Sequence, residues 1–272
     1  MTPLKITTYL AFLFIANCYA ITYAEFQLKC VEKKISSNEC LQAFEYSENE
    51  KANSAYAQKD YATAFPLYLE NANKGQITAS RQVAFMYRWG LGTVQNIEQA
   101  ERWYKLTAEK GNKETQFELA DFYRYGYLSE PIEKKGRSVP NHQEALKWGL
   151  KSANQGNADA QVLVGDIYKE GKGTIKDYKE ANKWFTLAAR QGHYLGFHAL
   201  AIALEYGEGV KVDLVKSYMF WNLAEATKPK HVTDSFTSNG RDSLEKKLNI
   251  QQLEQAQQMA RTCVTKNYKN CV

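Results

Sequence analysis

The sequence lacks the motifs that hold a metal ion or a nucleotide phosphate. It contains only four histidines, none with a second ligand at the spacing of a helical metal site, and no Cys-x-x-Cys pair. Its Gly-x-Gly pairs follow predicted helices rather than strands, so we interpret them as turns and not as phosphate-binding loops. We therefore predict no cofactor and no metal site.

The sequence also lacks an excess of one charge. Thirty-five basic and 30 acidic residues are interspersed, and they leave a net charge of +5. No basic arm or stripe suits a nucleic acid, so we expect no nucleic-acid partner. Hydrophobic residues make up 44% of the chain and charged residues 24%, a composition typical of a soluble globular protein.

The apolar run near the N-terminus is too short to cross a membrane. Tyr9–Ala16 falls well below the roughly 20 residues that a bilayer requires, so we expect no stable membrane insertion. Lys5 before this run and the small residue Ala24 after it are typical of a signal peptide. We expect residues 1–24 to be an export signal cleaved near Ala24 and the mature chain to be periplasmic or secreted. A buried first helix and a lipid anchor on Cys18 are the alternatives.

Cysteine is scarce, and the four residues after the predicted signal lie as two close pairs at opposite ends of the chain. Four cysteines allow three pairings. In an exported protein the simplest pairing is Cys30 with Cys40 and Cys263 with Cys271, and four free thiols are the alternative. Eight residues of straight helix rise about 12 Å, whereas a disulfide needs Cα atoms within about 7 Å. Each bridge therefore predicts a turn between its cysteines.

What the sequence does contain is a repeat. Residues 79–111 align with residues 160–192 at a constant offset of 81. A third copy lies between them and carries nine additional residues between Gly126 and Ala145, and a fourth copy follows. A leading copy at about residues 50–78 matches by half. The insertion, within Tyr127 to Pro140, is interpreted either as a binding loop or as drift, since loops tolerate insertion.

Each copy predicts a pair of helices. In the first helix a small residue precedes an aromatic one by three positions, as in Ala84 and Tyr87, and small residues let helices approach closely. Gly-x-Gly then ends the first helix. The second helix begins after an Asn or Asp, both good N-caps, and carries Ala, an aromatic residue and Ala on one stripe. The predicted N-caps are Asp60, Asn96, Asn141, Asp177 and Asp213.

These positions resemble the SEL-one-like repeat, a relative of the tetratricopeptide repeat. Residues 79–228 match it in four copies, with departures such as Leu128 for the second glycine and Leu204 for the tyrosine. The resemblance implies an all-α, right-handed superhelical solenoid of about five antiparallel helix pairs with a C-terminal capping helix. We expect an N-terminal segment at 25–49 with a cysteine pair, the solenoid at 50–228 and the cap at 229–272.

The cap is predicted to contain one loop and one helix. Residues 237–240, Thr-Ser-Asn-Gly, indicate a loop. Asn249 then begins an amphipathic helix that should cover the end of the last helix pair. Its apolar face is predicted to carry Ile250, Leu253, Ala256, Ala260 and Val264.

The resemblance also implies a binding face. In tetratricopeptide folds the first helix of each pair lines the concave side, so we expect an exported adaptor that binds a protein or peptide there. Aromatic and arginine side chains are common at interface hot spots. The alternative is that these side chains are only solvated, with the aromatic ones packed between helices, and bind nothing. The candidates are Arg81, Phe85, Arg88, Trp89, Phe117, Asp121, Arg124, Tyr125, Asp166, Lys169, Glu170, His198, Ile202, Glu205 and Tyr206.

Two other functions remain as alternatives. Some cysteine-rich relatives of the repeat carry a β-lactamase label, and Ser243 to Lys246 matches Ser-x-x-Lys, although neither Ser-Asp-Asn nor Lys-Thr-Gly follows. The matched repeats here also contain no cysteine, so we do not expect an enzyme. The third possibility is a cell-wall glycan binder, because aromatic grooves also suit sugars.

Overall fold

A computed structural model describes residues 30–33, 36–126, 140–233, 236–269 and 271. The predicted export signal and nearly all of the insertion lie outside these residues. Within them there is no strand, and thirteen helices follow one another. They are α1 Ser37–Glu48, α2 Glu50–Ala57, α3 Tyr61–Asn73, α4 Ile77–Trp89, α5 Ile97–Glu109, α6 Lys113–Tyr125, α7 His142–Asn154, α8 Ala158–Glu170, α9 Tyr178–Ala189, α10 Tyr194–Tyr206, α11 Leu214–Thr227, α12 Phe236–Glu245 and α13 Ile250–Thr265.

The chain divides into two compact units between Lys110 and Gly111. The N-terminal unit holds the pairs α2–α3 and α4–α5, and the C-terminal unit holds α6–α7, α8–α9 and α10–α11. In each unit successive helices pack against one another. The prediction of an all-α chain of stacked helix pairs is therefore confirmed for the described residues.

The small and aromatic positions of the repeat build the core. Ala84 and Ala120 are fully buried, and the ring of Tyr87 packs edge-on against Phe65 of the preceding pair at 5.0 Å between centroids. At the equivalent position Gly165, an added Cβ would lie 2.5 Å from the ring of Phe185. The small residue therefore lets the two helices of a pair approach closely, as the pattern predicted.

All five predicted N-caps form. The side chain of each accepts a hydrogen bond from a backbone N–H in the first turn of its helix. All five also close the preceding loop: their own N–H groups donate to a backbone carbonyl of the first helix, for example Asp177 to Tyr168 at 2.9 Å and Asp213 to Leu204 at 3.0 Å. Because the acceptor is a backbone oxygen, the side chain of the accepting residue does not matter. Leu204 therefore accepts this hydrogen bond in the fourth copy as Tyr168 does in the copy before it.

The Gly-x-Gly pair has a second role besides ending the helix. The first glycine is the left-handed C-cap of α4, α8 and α10. The second lies against the start of the second helix of the preceding pair: a Cβ on Gly173 would be 2.6 Å from the backbone of His142, and one on Gly209 would be 2.6 Å from that of Tyr178. The motif therefore also joins successive pairs within a unit.

Helix α1 is attached to the repeats through a buried carboxylate. Gln76, the N-cap residue of α4, makes no side-chain capping bond. Glu45 of α1 takes over this role: it is 5% exposed and accepts hydrogen bonds from the backbone N–H groups of Ile77 at 3.0 Å and Thr78 at 2.9 Å. A negative charge at a helix N-terminus is favourable, so this contact positions α1 against α4.

The cap differs from its prediction in two respects. Residues 237–240 are not a loop but part of α12, where Gly240 lies directly against the ring of Trp221, so the glycine permits close packing rather than a turn. Helix α13 begins after Asn249 and packs on α11, as predicted. Its Ile250 and Val264, however, are 75% and 49% exposed, because the buried stripe runs through Ala256 and Cys263.

Both predicted disulfides are present. Cys30–Cys40 and Cys263–Cys271 have Cα–Cα distances of 5.8 and 5.2 Å. The second joins Cys263, in the last turn of α13, to Cys271 across the turn that follows the helix. This turn places Tyr268 on Phe197, with ring centroids 5.5 Å apart. The bridge thus holds the turn at residues 266–269 close to α10.

The packing of the second glycine predicts a specific loss of stability. Gly209 and Gly156 both have positive φ, +71° and +83°, but a Cβ on Gly156 would meet nothing within 4 Å. We expect Gly156→Ala to lower the free energy of unfolding by about 1 kcal/mol, the cost of the left-handed conformation. Gly209→Ala should lose a further 1–3 kcal/mol or so from the clash with Tyr178. Urea unfolding followed by fluorescence measures both, and equal losses would contradict the packing role.

Candidate functional site

The last residue of each first helix is exposed. Trp89 ends α4, Tyr125 ends α6 and Tyr206 ends α10, and their side chains are 52%, 62% and 70% exposed. Glu170 takes this position in α8 and is also exposed. Gly90, Gly171 and Gly207 end their helices in the left-handed conformation, which leaves the preceding side chain uncovered. We refer to the candidate residues of α6, α8 and α10 as the first-helix face of the C-terminal unit.

In the N-terminal unit, α4 carries four of the candidates. Phe85 and Trp89 lie one turn apart with ring centroids at 6.2 Å, and the Arg88 guanidinium carbon lies 5.4 Å from the centroid of the Trp89 ring. Arg81, Phe85 and Arg88 are half-buried. A guanidinium beside an indole within about 6 Å is an attractive arrangement. The end of α4 therefore presents a supported aromatic side chain to solvent.

In the C-terminal unit, Arg124 organises the first-helix face. Its guanidinium contacts Asp166 at 3.1 Å and Glu170 at 3.0 Å, both on the next first helix, and lies 5.4 Å from the ring centroid of Tyr125. The Arg124 side chain is only 12% exposed. One arginine thus connects two successive first helices and supports the exposed tyrosine.

The pKa values of the two carboxylates reflect burial and the neighbouring cations. Burial raises the pKa of Asp166, and Arg124 only partly opposes this effect. Burial also acts to raise the pKa of Glu170, but Lys172 and Arg124 outweigh it, so the pKa of Glu170 is lowered. Arg124 is thus the main group that opposes the effect of burial on the pKa of Asp166, whereas Glu170 shares its stabilisation between Lys172 and Arg124.

Two further ion pairs extend the network. Lys169 of α8 contacts Glu208 in the loop after α10 at 2.8 Å, and Glu205 of α10 contacts Lys247 of the cap at 3.1 Å. Glu208, Lys172 and Lys247 could not be recognised from the sequence, because Lys172 and Glu208 are the variable middle residues of the Gly-x-Gly motifs and Lys247 lies in the cap, which has no second copy. Most charges of the first-helix face are therefore neutralised by other residues of the chain.

The remaining candidates are less accessible. Phe117 and Asp121 are half-buried. His198 packs edge-on against Trp221 of α11 with ring centroids 5.0 Å apart, and Ile202 packs against the core. These side chains help to join the two helices of a pair, and the exposed part of the face is formed by the helix ends.

The two residues on which the β-lactamase alternative depends are located in the cap. Ser243, in α12, and Lys246, just after it, are both exposed.

In the part of the chain that the structure describes, no group of three or more His, Cys, Asp or Glu side chains could hold a metal ion. No helix among the described residues is long and apolar enough to cross a membrane.

Removal of Arg124 should destabilise the chain in a pH-dependent manner. Because Arg124 lowers the pKa of Asp166 and Glu170, its contribution is present when both are charged and is lost as the pH falls through their folded pKa values. We expect Arg124→Ala to lower the free energy of unfolding by about 1–2 kcal/mol at neutral pH and by less at ~pH 4.

Lys183→Ala is the matched control, because Lys183 is 72% exposed and pairs with Glu180 on its own helix. Its removal should change the free energy of unfolding far less than removal of Arg124 does, because an exposed ion pair within one helix contributes little. Urea unfolding at the two pH values measures both variants. An Arg124→Ala loss that does not change with pH would contradict the role of the carboxylates.

Comparison with known proteins identifies the repeats. The Sel1 repeat family matches residues 78–112, 113–157, 158–193 and 198–226, more than half of the chain. No curated protein matches.

Two solved structures are similar to this one. The first is a protective antigen of uropathogenic Escherichia coli strains that displays an SLR fold, with 23% identity over 92% of this chain and 62% of that chain, and a TM-score of 0.52. This chain therefore spans less than two thirds of that protein. The second is a Sel1 repeat protein from Oxalobacter formigenes, with 25% identity over 75% of this chain and 86% of that one, and a TM-score of 0.55. With the four repeat matches, these findings show that the chain belongs to the Sel1 repeat family.

Proposed function

We propose that this chain is an exported scaffold that binds a protein or peptide through the ends of its first helices. Sel1 repeat proteins are generally protein-interaction scaffolds rather than enzymes. The observation that carries the proposal is the recurrence of an exposed aromatic residue, Trp89, Tyr125 or Tyr206, at one position of the repeat. Large aromatic side chains with a polar group are the residues that contribute most at protein interfaces.

The surroundings of these residues support a preformed binding surface. Arg124 is held by two carboxylates and in turn lies beside Tyr125. A side chain that is already ordered loses less conformational freedom on binding, so more of the contact energy appears as affinity. Because the charges of the face are paired within the chain, we expect aromatic contact to dominate binding and salt to have a small effect.

The two disulfides support export. Disulfides persist in oxidising compartments and are rare in the cytosol. Cys30–Cys40 and Cys263–Cys271 lie near the two ends of the described chain. Together with the predicted signal at residues 1–24, they favour a periplasmic or secreted protein.

Site-specific crosslinking tests the proposed face. We expect a photoreactive amino acid at Tyr125 or Tyr206 to give the same partner adduct in the native host. The matched control is Leu106, which is 46% exposed but lies on a second helix, α5. With the identified partner in purified form, Tyr206→Ala should weaken binding by about tenfold or more. Adducts of equal yield from Leu106, or an unchanged affinity, would contradict the face.

The same variants separate the glycan alternative. If Tyr206→Ala reduced retention on purified peptidoglycan and no protein adduct formed, the face would bind glycan. An enzyme would show itself by hydrolysis of the β-lactam nitrocefin that Ser243→Ala abolishes. We expect no serine-dependent hydrolysis, because Ser243 and Lys246 are both exposed rather than enclosed in a site.

A further inference from the structure

A groove lies where the last repeat meets the cap. It is formed by the end of α10, the loop at residues 211–213, the first turn of α11 and the segment that joins α12 to α13, and it encloses about 590 Å³. Its apolar surface includes Leu204, Val215 and the buried Leu248. Three lysines line it: Lys211, Lys216 and Lys247. We call this the cap groove.

Two of the three lysines have no carboxylate partner. Lys247 pairs with Glu205 at 3.1 Å. Within the described part of the chain, neither Lys211 nor Lys216 forms an ion pair. The one acidic residue of the lining, Asp213, caps α11 by accepting a hydrogen bond from the backbone N–H of Lys216. Even with Asp213 and Glu205 counted, positive charge is in excess, so the cap groove combines an apolar surface with a net positive lining.

Positive charge continues on the other side of the loop after α10. A second groove of about 400 Å³ lies there, lined by Lys179, Lys183 and Arg190 beside Leu187 and Val210. Lys183 pairs with Glu180, whereas Lys179 and Arg190 form no ion pair with any described residue. Two apolar grooves with basic rims thus flank a single loop. A negatively charged segment that left one groove would meet further positive charge.

We infer that the cap groove binds an acidic peptide segment of a partner protein, with carboxylates on Lys211 and Lys216 and an apolar side chain on the floor. Complementary charge at a groove rim accelerates association and selects the partner. A peptide fits this shape because its side chains can enter a recess, whereas a flat lipid surface would reach only the rim. This surface is distinct from the aromatic helix ends, so the inference does not require them to bind.

The test uses a fluorescein-labelled peptide, Ser-Glu-Leu-Glu-Ser-Leu-Glu-Ser, and its counterpart with Gln in place of Glu. Fluorescence polarisation should show saturable binding of the acidic peptide with a Kd below about 1 mM. The neutral peptide should bind much more weakly. Lys211→Glu/Lys216→Glu should weaken binding of the acidic peptide by about tenfold or more. Tyr206→Ala should leave it unchanged, which separates this groove from the first-helix face.

The control variant is Lys266→Glu/Lys269→Glu, which makes the same charge change in the exposed turn after α13. It should bind the acidic peptide as the native chain does, and circular dichroism checks that both variants fold. A peptide with Lys in place of Glu should bind the Lys211→Glu/Lys216→Glu variant better than the native chain. A merely structural effect would not produce this reversal.

Three outcomes would overturn the inference. They are no saturable binding of the acidic peptide, equal binding of the neutral peptide, and an equal loss in the control variant. Sedimentation with vesicles of phosphatidylglycerol and phosphatidylcholine addresses a lipid surface. If these vesicles, and not the acidic peptide, bound in a manner dependent on Lys211 and Lys216, the basic rim would be a membrane contact instead.

Discussion

The backbone contact between the second glycine of a loop and the start of the preceding second helix determines how helix pairs stack. At Gly173 and Gly209 the approach leaves no room for a Cβ, so two pairs can come this close only if the loop carries glycine. The same loop is closed from the other side by an N-cap N–H that donates to the first helix. Together these contacts fix where the first helix ends.

The position of the helix end in turn determines the exposed surface. Tyr206 is followed at once by the left-handed Gly207, so its side chain is the last before the chain turns away. Glu170 stands at the same point before Gly171. The residue type at this position varies between copies, while Gly90, Gly171 and Gly207 share the left-handed conformation that ends α4, α8 and α10. Under the proposed function, the side chain at each helix end is the one that selects the partner.

The sequence predicts the features that recur and misses those that occur once. The N-caps, the glycine turns and the small residues at helix contacts appear in several copies, so their common physical role is visible in the alignment. The cap has no second copy. Without one, Gly240 indicated a turn, although in the structure it makes room for the ring of Trp221. In α13 the buried stripe likewise runs through Ala256 and Cys263 rather than through Ile250 and Val264, and Cys263 is held there by its disulfide with Cys271.

For the candidate site, the exposed aromatic positions could be predicted and the ion pairs could not. Tyr125 and Tyr206 stand at a fixed repeat position. Arg124, by contrast, finds Asp166 and Glu170 more than 40 residues away, and Glu205 finds Lys247 in the cap. No local spacing encodes such pairs. They matter for function because a charge that is already paired gains little from a ligand of opposite charge, which must first displace its partner.

The two surfaces of the C-terminal unit differ in physical character. On the first-helix face the exposed groups are mainly aromatic and the charges are satisfied, so contact depends on apolar area and shape. In the cap groove, Lys211 and Lys216 have no carboxylate partner among the described residues, so attraction depends on charge and weakens as salt screens it. A partner held by the first-helix face should therefore remain bound at an ionic strength that releases a partner from the cap groove. Two surfaces with such different dependence on salt could hold two different partners on one scaffold.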